Sequence, residues 1–245
     1  MLEHFSIIKL DEKGFILNVE KEPVLVVNPP SRNTVLDHCG VELINLILNS
    51  PAKIVITEYI LDLIKHWSTL KLVILPRILA QQDFSSGSYN IILADLNDPL
   101  PISDDVNIIF TNLEEIPTNS PHTDGKNPDM TPLGIYILYR NIRILYLSHP
   151  PIAMGPKNDL YLDIDLLILP KSKMLNYLFS KLEREKDVSC LAYYIGLETK
   201  YVIVLAEFNT EITNLFRNYN NVFLFPKACD EIAFSRHLTE IFLLR

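Results

Sequence analysis

The chain is poor in glycine and in cysteine, with seven of the first and three of the second among 245 residues. So few glycines leave no phosphate-cradling loop: neither a Walker motif nor a dinucleotide G-x-G-x-x-G is present. No G-x-S-x-G elbow occurs, which excludes the serine hydrolases built on one. The cysteines Cys39, Cys190 and Cys229 are far apart and odd in number. There is no C-x-x-C pair, hence no zinc ribbon and no thioredoxin-type centre, and the spacing predicts reduced, buried thiols in a cytoplasmic protein. No apolar run reaches the roughly 18 residues that cross a bilayer. The start, Met1-Leu2-Glu3-His4-Phe5, lacks the basic region of a signal peptide. The expectation is a cytoplasmic chain with no membrane partner. Basic residues are outnumbered 22 to 30, for a net charge of −8. That argues against a general nucleic-acid coat, although a local basic patch stays open.

What is present is core-forming sequence: 48% of the residues are hydrophobic and mean hydropathy is +0.16. Such a chain can bury a large core, and no linker divides it, so a single domain over 1–245 is expected. Strands are predicted over 5–10, 14–19 and 23–27, each rich in branched residues and set off by a polar turn. Leu36, Val41, Leu43, Ile44, Ile47 and Leu48 mark a helix. A strand over 53–56 leads to a second helix, with Leu61, Ile64, Trp67 and Leu70 on one face. Further strands fall at 72–75, 89–93, 106–110, 166–169, 201–205 and 222–225. A hairpin is read over 134–139 and 143–147, and helices at 174–184 and 212–216. The segment 116–127 is a polar loop, and 232–244 reads as a mixed apolar closing segment. Hairpins followed by βα units, twice over, suit two sheets packed face to face with helices outside.

The segment Thr57-Glu58-Tyr59-Ile60-Leu61-Asp62-Leu63 follows the strand Lys53-Ile54-Val55-Ile56 and opens a helix. It resembles the metal-binding loop of the metallo-β-lactamase superfamily, T-H-x-H-x-D-H, with the three histidine positions changed to Glu58, Ile60 and Leu63 and the aspartate kept as Asp62. Val27-Asn28-Pro29 resembles the family's opening strand, with Asn28 in place of Asp. His122, before Gly134, stands where the family has a lone His. Ser148-His149 stands where it has Gly-Asp. The stretch Leu162-Asp163-Ile164-Asp165-Leu166-Leu167-Ile168-Leu169-Pro170 is similar to another family segment. Glu207, after the strand at 201–205, stands near its last His. The resemblance spans about residues 5–235 and implies a four-layer αββα sandwich of the metallo-β-lactamase type. It also implies loops gathered at one rim.

A dinuclear zinc site needs several imidazoles and carboxylates close around the ions. Ile60 and Leu63 cannot donate, so no metal and no catalytic residue is expected. Asn28, Glu58, Ile60, Asp62, Leu63, His122, His149 and Glu207 are remnant-motif positions. Glu58, Asp62, His122, His149 and Glu207 form a remnant set that suits an oxygen-favouring ion better than zinc. Their bland alternative is a polar, solvated cleft. Asp62, in the first turn of its helix, is expected to cap it. Asp163 and Asp165 read as strand-capping residues. The function expected is that of a non-catalytic scaffold or subunit of an intracellular complex, with a protein partner and no cofactor. The alternatives are a divergent metal-dependent hydrolase of phosphodiesterase or nuclease type and a nucleic-acid-associated binding module. The oligomeric state is left open.

Overall fold

A computed structural model describes residues 4–58, 60–79, 90–112, 133–148, 164–171, 199–205, 222–224, 227–235, 238 and 241–244. Among the described residues, fifteen strands form two sheets. The first sheet takes β1 (His4–Lys9), β2 (Phe15–Val19), β3 (Glu22–Val27), β4 (Lys53–Val55), β5 (Val73–Pro76) and β6 (Ile91–Ala94), with β14 (Glu231–Ser235) and β15 (Ile241–Leu244). Its order is β15-β14-β1-β2-β3-β4-β5-β6. The second takes β7 (Leu100–Pro101), β8 (Val106–Asn112), β9 (Leu133–Tyr139), β10 (Ile142–Leu147), β11 (Leu166–Leu169), β12 (Tyr201–Val204) and β13 (Val222–Leu224). Its order is β13-β12-β11-β10-β9-β8-β7. Each sheet is antiparallel in one part and parallel in the other. The parallel strands are β3 to β6 in the first and β10 to β13 in the second.

The period-2 alternation of strands sorts the apolar side chains into layers. Phe5, Ile7, Phe15, Leu17, Leu25, Val27, Val55 and Ile74 of the first sheet meet Ile108, Phe110, Ile135, Ile137, Ile144, Tyr146, Ile168 and Ile203 of the second in one core. Their neighbours along the strands, Ile8, Ile16, Val26, Ile54, Val73 and Leu75, face the other way and pack against helices. Those helices are α1 (Arg32–Asn49) and α2 (Leu61–Ser68). Val35, Ile44 and Ile47 of α1 and Ile64 and Trp67 of α2 complete that outer core. The Trp67 indole N–H donates to the Pro30 carbonyl at 3.1 Å, so its one polar atom is satisfied. On the second sheet Leu145, Leu147, Leu167, Leu169, Val202 and Val204 are buried as well. By alternation they face away from the central core, so this sheet too is covered on its outer face. The helices expected at 174–184 and 212–216, and the loop at 116–127, lie outside the described residues.

Ser31 caps α1 through its hydroxyl, which accepts from the Thr34 N–H at 3.2 Å. Within α1 the backbone leaves the helix at Gly40 (φ 81°, ψ 175°), a conformation open to glycine and costly for other residues. Just before that break, Cys39 forms a disulfide with Cys229, their Cα atoms 5.5 Å apart. The expectation of reduced thiols is therefore corrected for these two. They lie 190 residues apart in sequence, and only the pairing of β14 with β1 brings Cys229 beneath α1. The apolar segment read at 232–244 carries no strand in the sequence reading. It contributes the antiparallel pair β14 and β15, with Phe234 opposite Ile241. No described helix is long and apolar enough to cross a membrane.

Candidate functional site

Parallel pairing sets the first element of the site. Val27 of β3 lies in register with Val55 of β4, so the residues that follow the two strands emerge side by side. Asn28 turns the chain with a left-handed backbone (φ 44°), which Asn tolerates better than most residues. Its N–H donates to the Val55 carbonyl at 2.8 Å. Its side-chain Oδ1 accepts from the Thr57 N–H at 2.7 Å. Its Nδ2 donates to Thr57 Oγ1 at 2.7 Å and to the Tyr146 hydroxyl at 2.9 Å. Tyr146 comes from β10, so this amide joins the two sheets. The tyrosine hydroxyl in turn donates to the Lys13 carbonyl at 2.9 Å. Burial pushes the Tyr146 hydroxyl well above its ordinary pKa against the opposing pull of the Asn28 hydrogen bond, and the Glu58 and Asp11 carboxylates push it further. The group is a neutral donor.

The turn between β1 and β2 arches over this pair. Asp11 Oδ1 accepts from the N–H groups of Lys13 (2.8 Å) and Gly14 (2.5 Å), which shapes the turn locally. Lys13 reaches across with its ammonium and holds both Glu58 oxygens, at 2.9 and 2.8 Å. The lysine side chain is 48% exposed and the glutamate 17%. Glu12 faces the other sheet. Its carbonyl accepts from the Lys171 N–H at 2.7 Å and its carboxylate pairs with the Lys171 ammonium at 2.5 Å. Lys171 lies two residues beyond β11.

The remnant-motif positions that the structure describes are Asn28, Glu58, Ile60, Asp62 and Leu63. Asn28 and Glu58 stand at the same rim, joined through Thr57. Ile60 is 46% exposed and begins α2 without a side-chain cap. Asp62 is exposed in the first turn of α2 and makes no capping hydrogen bond, which corrects the expectation that it caps the helix. It complements the helix dipole through its position alone. Leu63 packs against the helix-facing core. His122, His149 and Glu207 lie outside the described residues, as does Asp163. Asp165 ends in the structural role expected of it. It precedes β11, accepts from the Arg143 N–H at 3.0 Å and pairs with Lys200 at 2.6 Å.

These residues do not fit a metal centre. Ile60 and Leu63 carry no donor atom, and Glu58 already has both oxygens on an ammonium. No cluster of three or more His, Cys, Asp or Glu side chains suited to an ion occurs among the described residues. Sequence reasoning missed Lys13 and Tyr146. Lys13 reads as one charge in a polar turn, and its partner is 45 residues away. Tyr146 carried a usable signal. It shares the inward parity of Ile144 on a buried strand, and a buried tyrosine hydroxyl calls for a hydrogen-bond partner.

No protein-family model matches the sequence, and no curated protein matches it. Solved structures do match. An isothiocyanate hydrolase from Delia radicum gut bacteria superposes with a TM-score of 0.58 at 13% identity, covering 94% of this chain and 99% of that one. Igni18, a metallo hydrolase from the hyperthermophilic archaeon Ignicoccus hospitalis, gives 0.56 at 12% identity over 95% and 99%. The metallo-β-lactamase fold protein YhfI from Bacillus subtilis gives 0.55 at 12% identity over 94% and 99%. The architecture is that of the metallo-β-lactamase αββα sandwich. At these identities the likeness extends to the fold and not to the chemistry of the rim.

Proposed function

We propose that this chain is a non-catalytic protein of the metallo-β-lactamase fold, a degenerate form lacking most metal ligands, that serves as a scaffold or subunit of a protein complex. The observation that carries the reading is the state of the ligand loop. Its first position, Glu58, is held on both oxygens by Lys13, and two others are the apolar Ile60 and Leu63. Metal-assisted hydrolysis needs an ion that polarises the substrate or ionises a water, and this loop offers it no donor set. Fold neighbours named as hydrolases do not transfer their chemistry, because function resides in the site.

A protein partner is supported by the outer helix. α1 buries Val35, Ile44 and Ile47 but leaves Leu36, Val41 and Leu46 exposed to solvent. Apolar side chains left in solvent are ones that a protein partner can cover. The Cys39–Cys229 disulfide weakens a cytoplasmic setting for the complex, since such bonds persist in oxidising compartments and within the cells of hyperthermophiles.

The test is elemental analysis of protein purified without chelators, with phosphodiester hydrolysis assayed on the same sample. The expected result is no stoichiometric metal and no turnover. Metal-dependent hydrolysis lost on Asp62→Ala or His122→Ala would establish the competing reading, a divergent hydrolase. Nucleic-acid binding that weakens steeply with salt, without cleavage, would establish a binding module instead.

A further inference from the structure

We propose that the Asp11–Gly14 turn is a fixed strap across the rim, in which the Lys13 ammonium supplies Glu58 with the positive charge that a bound cation would otherwise provide. The inference rests on the reading of the rim as a site without metal and adds what holds that rim together instead.

Four contacts make the strap. Lys13 Nζ binds Glu58 after β4, and the Lys13 carbonyl accepts from Tyr146 of β10. Glu12 binds Lys171 after β11 through backbone and side chain. Gly14 packs directly on the Asn28 carbonyl after β3. Two of these contacts are to the first sheet and two to the second, so the turn bridges both. In a metal centre of this kind, ions gather the strand-end loops by coordination. Here a peptide turn performs the gathering, with one ammonium in place of the ion. The Glu58 side chain is 17% exposed, and a partly buried carboxylate is favoured by a counter-charge beside it. Lys13 is the cation that provides it. Among the described residues, the strap and not an ion holds this rim together.

Trypsin offers a direct readout, because the Lys13–Gly14 bond lies at the centre of the strap. The wild-type protein, a Glu58→Gln variant and a synthetic peptide spanning residues 10–18 are digested in parallel, with and without EDTA. Cleavage after Lys13 is followed by mass spectrometry. The expected result is cleavage in the folded wild type at least about tenfold slower than in the peptide, unchanged by EDTA. Glu58→Gln accelerates cleavage at this bond by about fivefold, the rise in open population that follows from losing an ion pair at the upper end of the exposed range. Cleavage elsewhere stays constant, which shows that the variant remains folded. A wild-type rate equal to that of the peptide, acceleration by EDTA, or no effect of Glu58→Gln would overturn the proposal. The hydrolysis assay fails or succeeds independently of this digest, so the two readings are separable.

Discussion

Gly14 sits against the carbonyl of Asn28 so closely that its backbone leaves no room for a side chain. A Cβ there would fall well inside van der Waals contact with the Asn28 oxygen, and would stand 3.1 Å from its carbon and 3.2 Å from the Asp11 carboxylate. Two of the three groups are backbone and cannot rotate away. Gly14→Ala should therefore destabilise the protein by about 1–3 kcal/mol, the usual cost of overpacking. Urea denaturation measures it, and an unchanged midpoint would mean that the turn does not rest on Asn28.

Tyr146→Phe removes one hydroxyl that both accepts from Asn28 and donates to Lys13. The Asn28 amide then loses an acceptor in a buried position, for an expected loss of about 1–3 kcal/mol. The same variant carries a pH signature. The folded-state pKa of Tyr146 lies above its ordinary value of 10.0. Its contribution to stability is therefore complete below about pH 10 and declines as pH rises toward the folded-state value, because the unfolded chain ionises first. Wild-type stability should fall more steeply than that of the variant above pH 10, by up to about 1.4 kcal/mol per pH unit. Parallel slopes would show that Tyr146 is not buried as described.

Reduction of Cys39–Cys229 should matter more than any single hydrogen bond. A cross-link between residues 190 apart restricts the unfolded chain by about 5 kcal/mol in the loop-entropy model. Cys39→Ser should lower the melting temperature, and reductant should lower that of the wild type but not of the variant. Thiol titration in denaturant gives a second check. With three cysteines in the chain and two in the bond, one thiol should react before reduction and three after. Three reactive thiols at the outset would remove the disulfide.

Asp62→Ala should change stability by no more than about 0.5 kcal/mol, the range for an exposed residue without a specific contact. Its first-turn position on α2 gives a favourable but solvent-screened dipole interaction. A loss above about 1.5 kcal/mol would restore a capping role.

The first half of the fold is legible because its signals are local. β1 to β5 and α2 follow from alternation, helical spacing and polar turns within one or two residues of their ends, and α1 is found too, although it begins at Arg32, four residues before the first apolar residue read as helical. β14 and β15 are not legible in that way. Their place depends on β1, where Phe5 pairs with Phe234, and no local pattern announces a partner so distant. β7 has only two residues and gives no period at all. At the rim, Asn28 and Glu58 could be found because they follow strand ends. Lys13 could not, since its role exists only once β2 brings the turn against the end of β4. The pairing of Cys39 with Cys229 is hidden for the same reason.

The position of β14 between β1 and β15 has a consequence for biosynthesis. During translation β1 gains β2 at once, yet its other edge stays open until residues 231–235 leave the ribosome. An unpaired edge beside an apolar face is the surface through which nascent chains adhere to one another. That edge of the first sheet must therefore wait for residues 231–235 before it is sealed. The Cys39–Cys229 bond joins the same two distant parts of the chain, so it cannot form before residue 229 has been made.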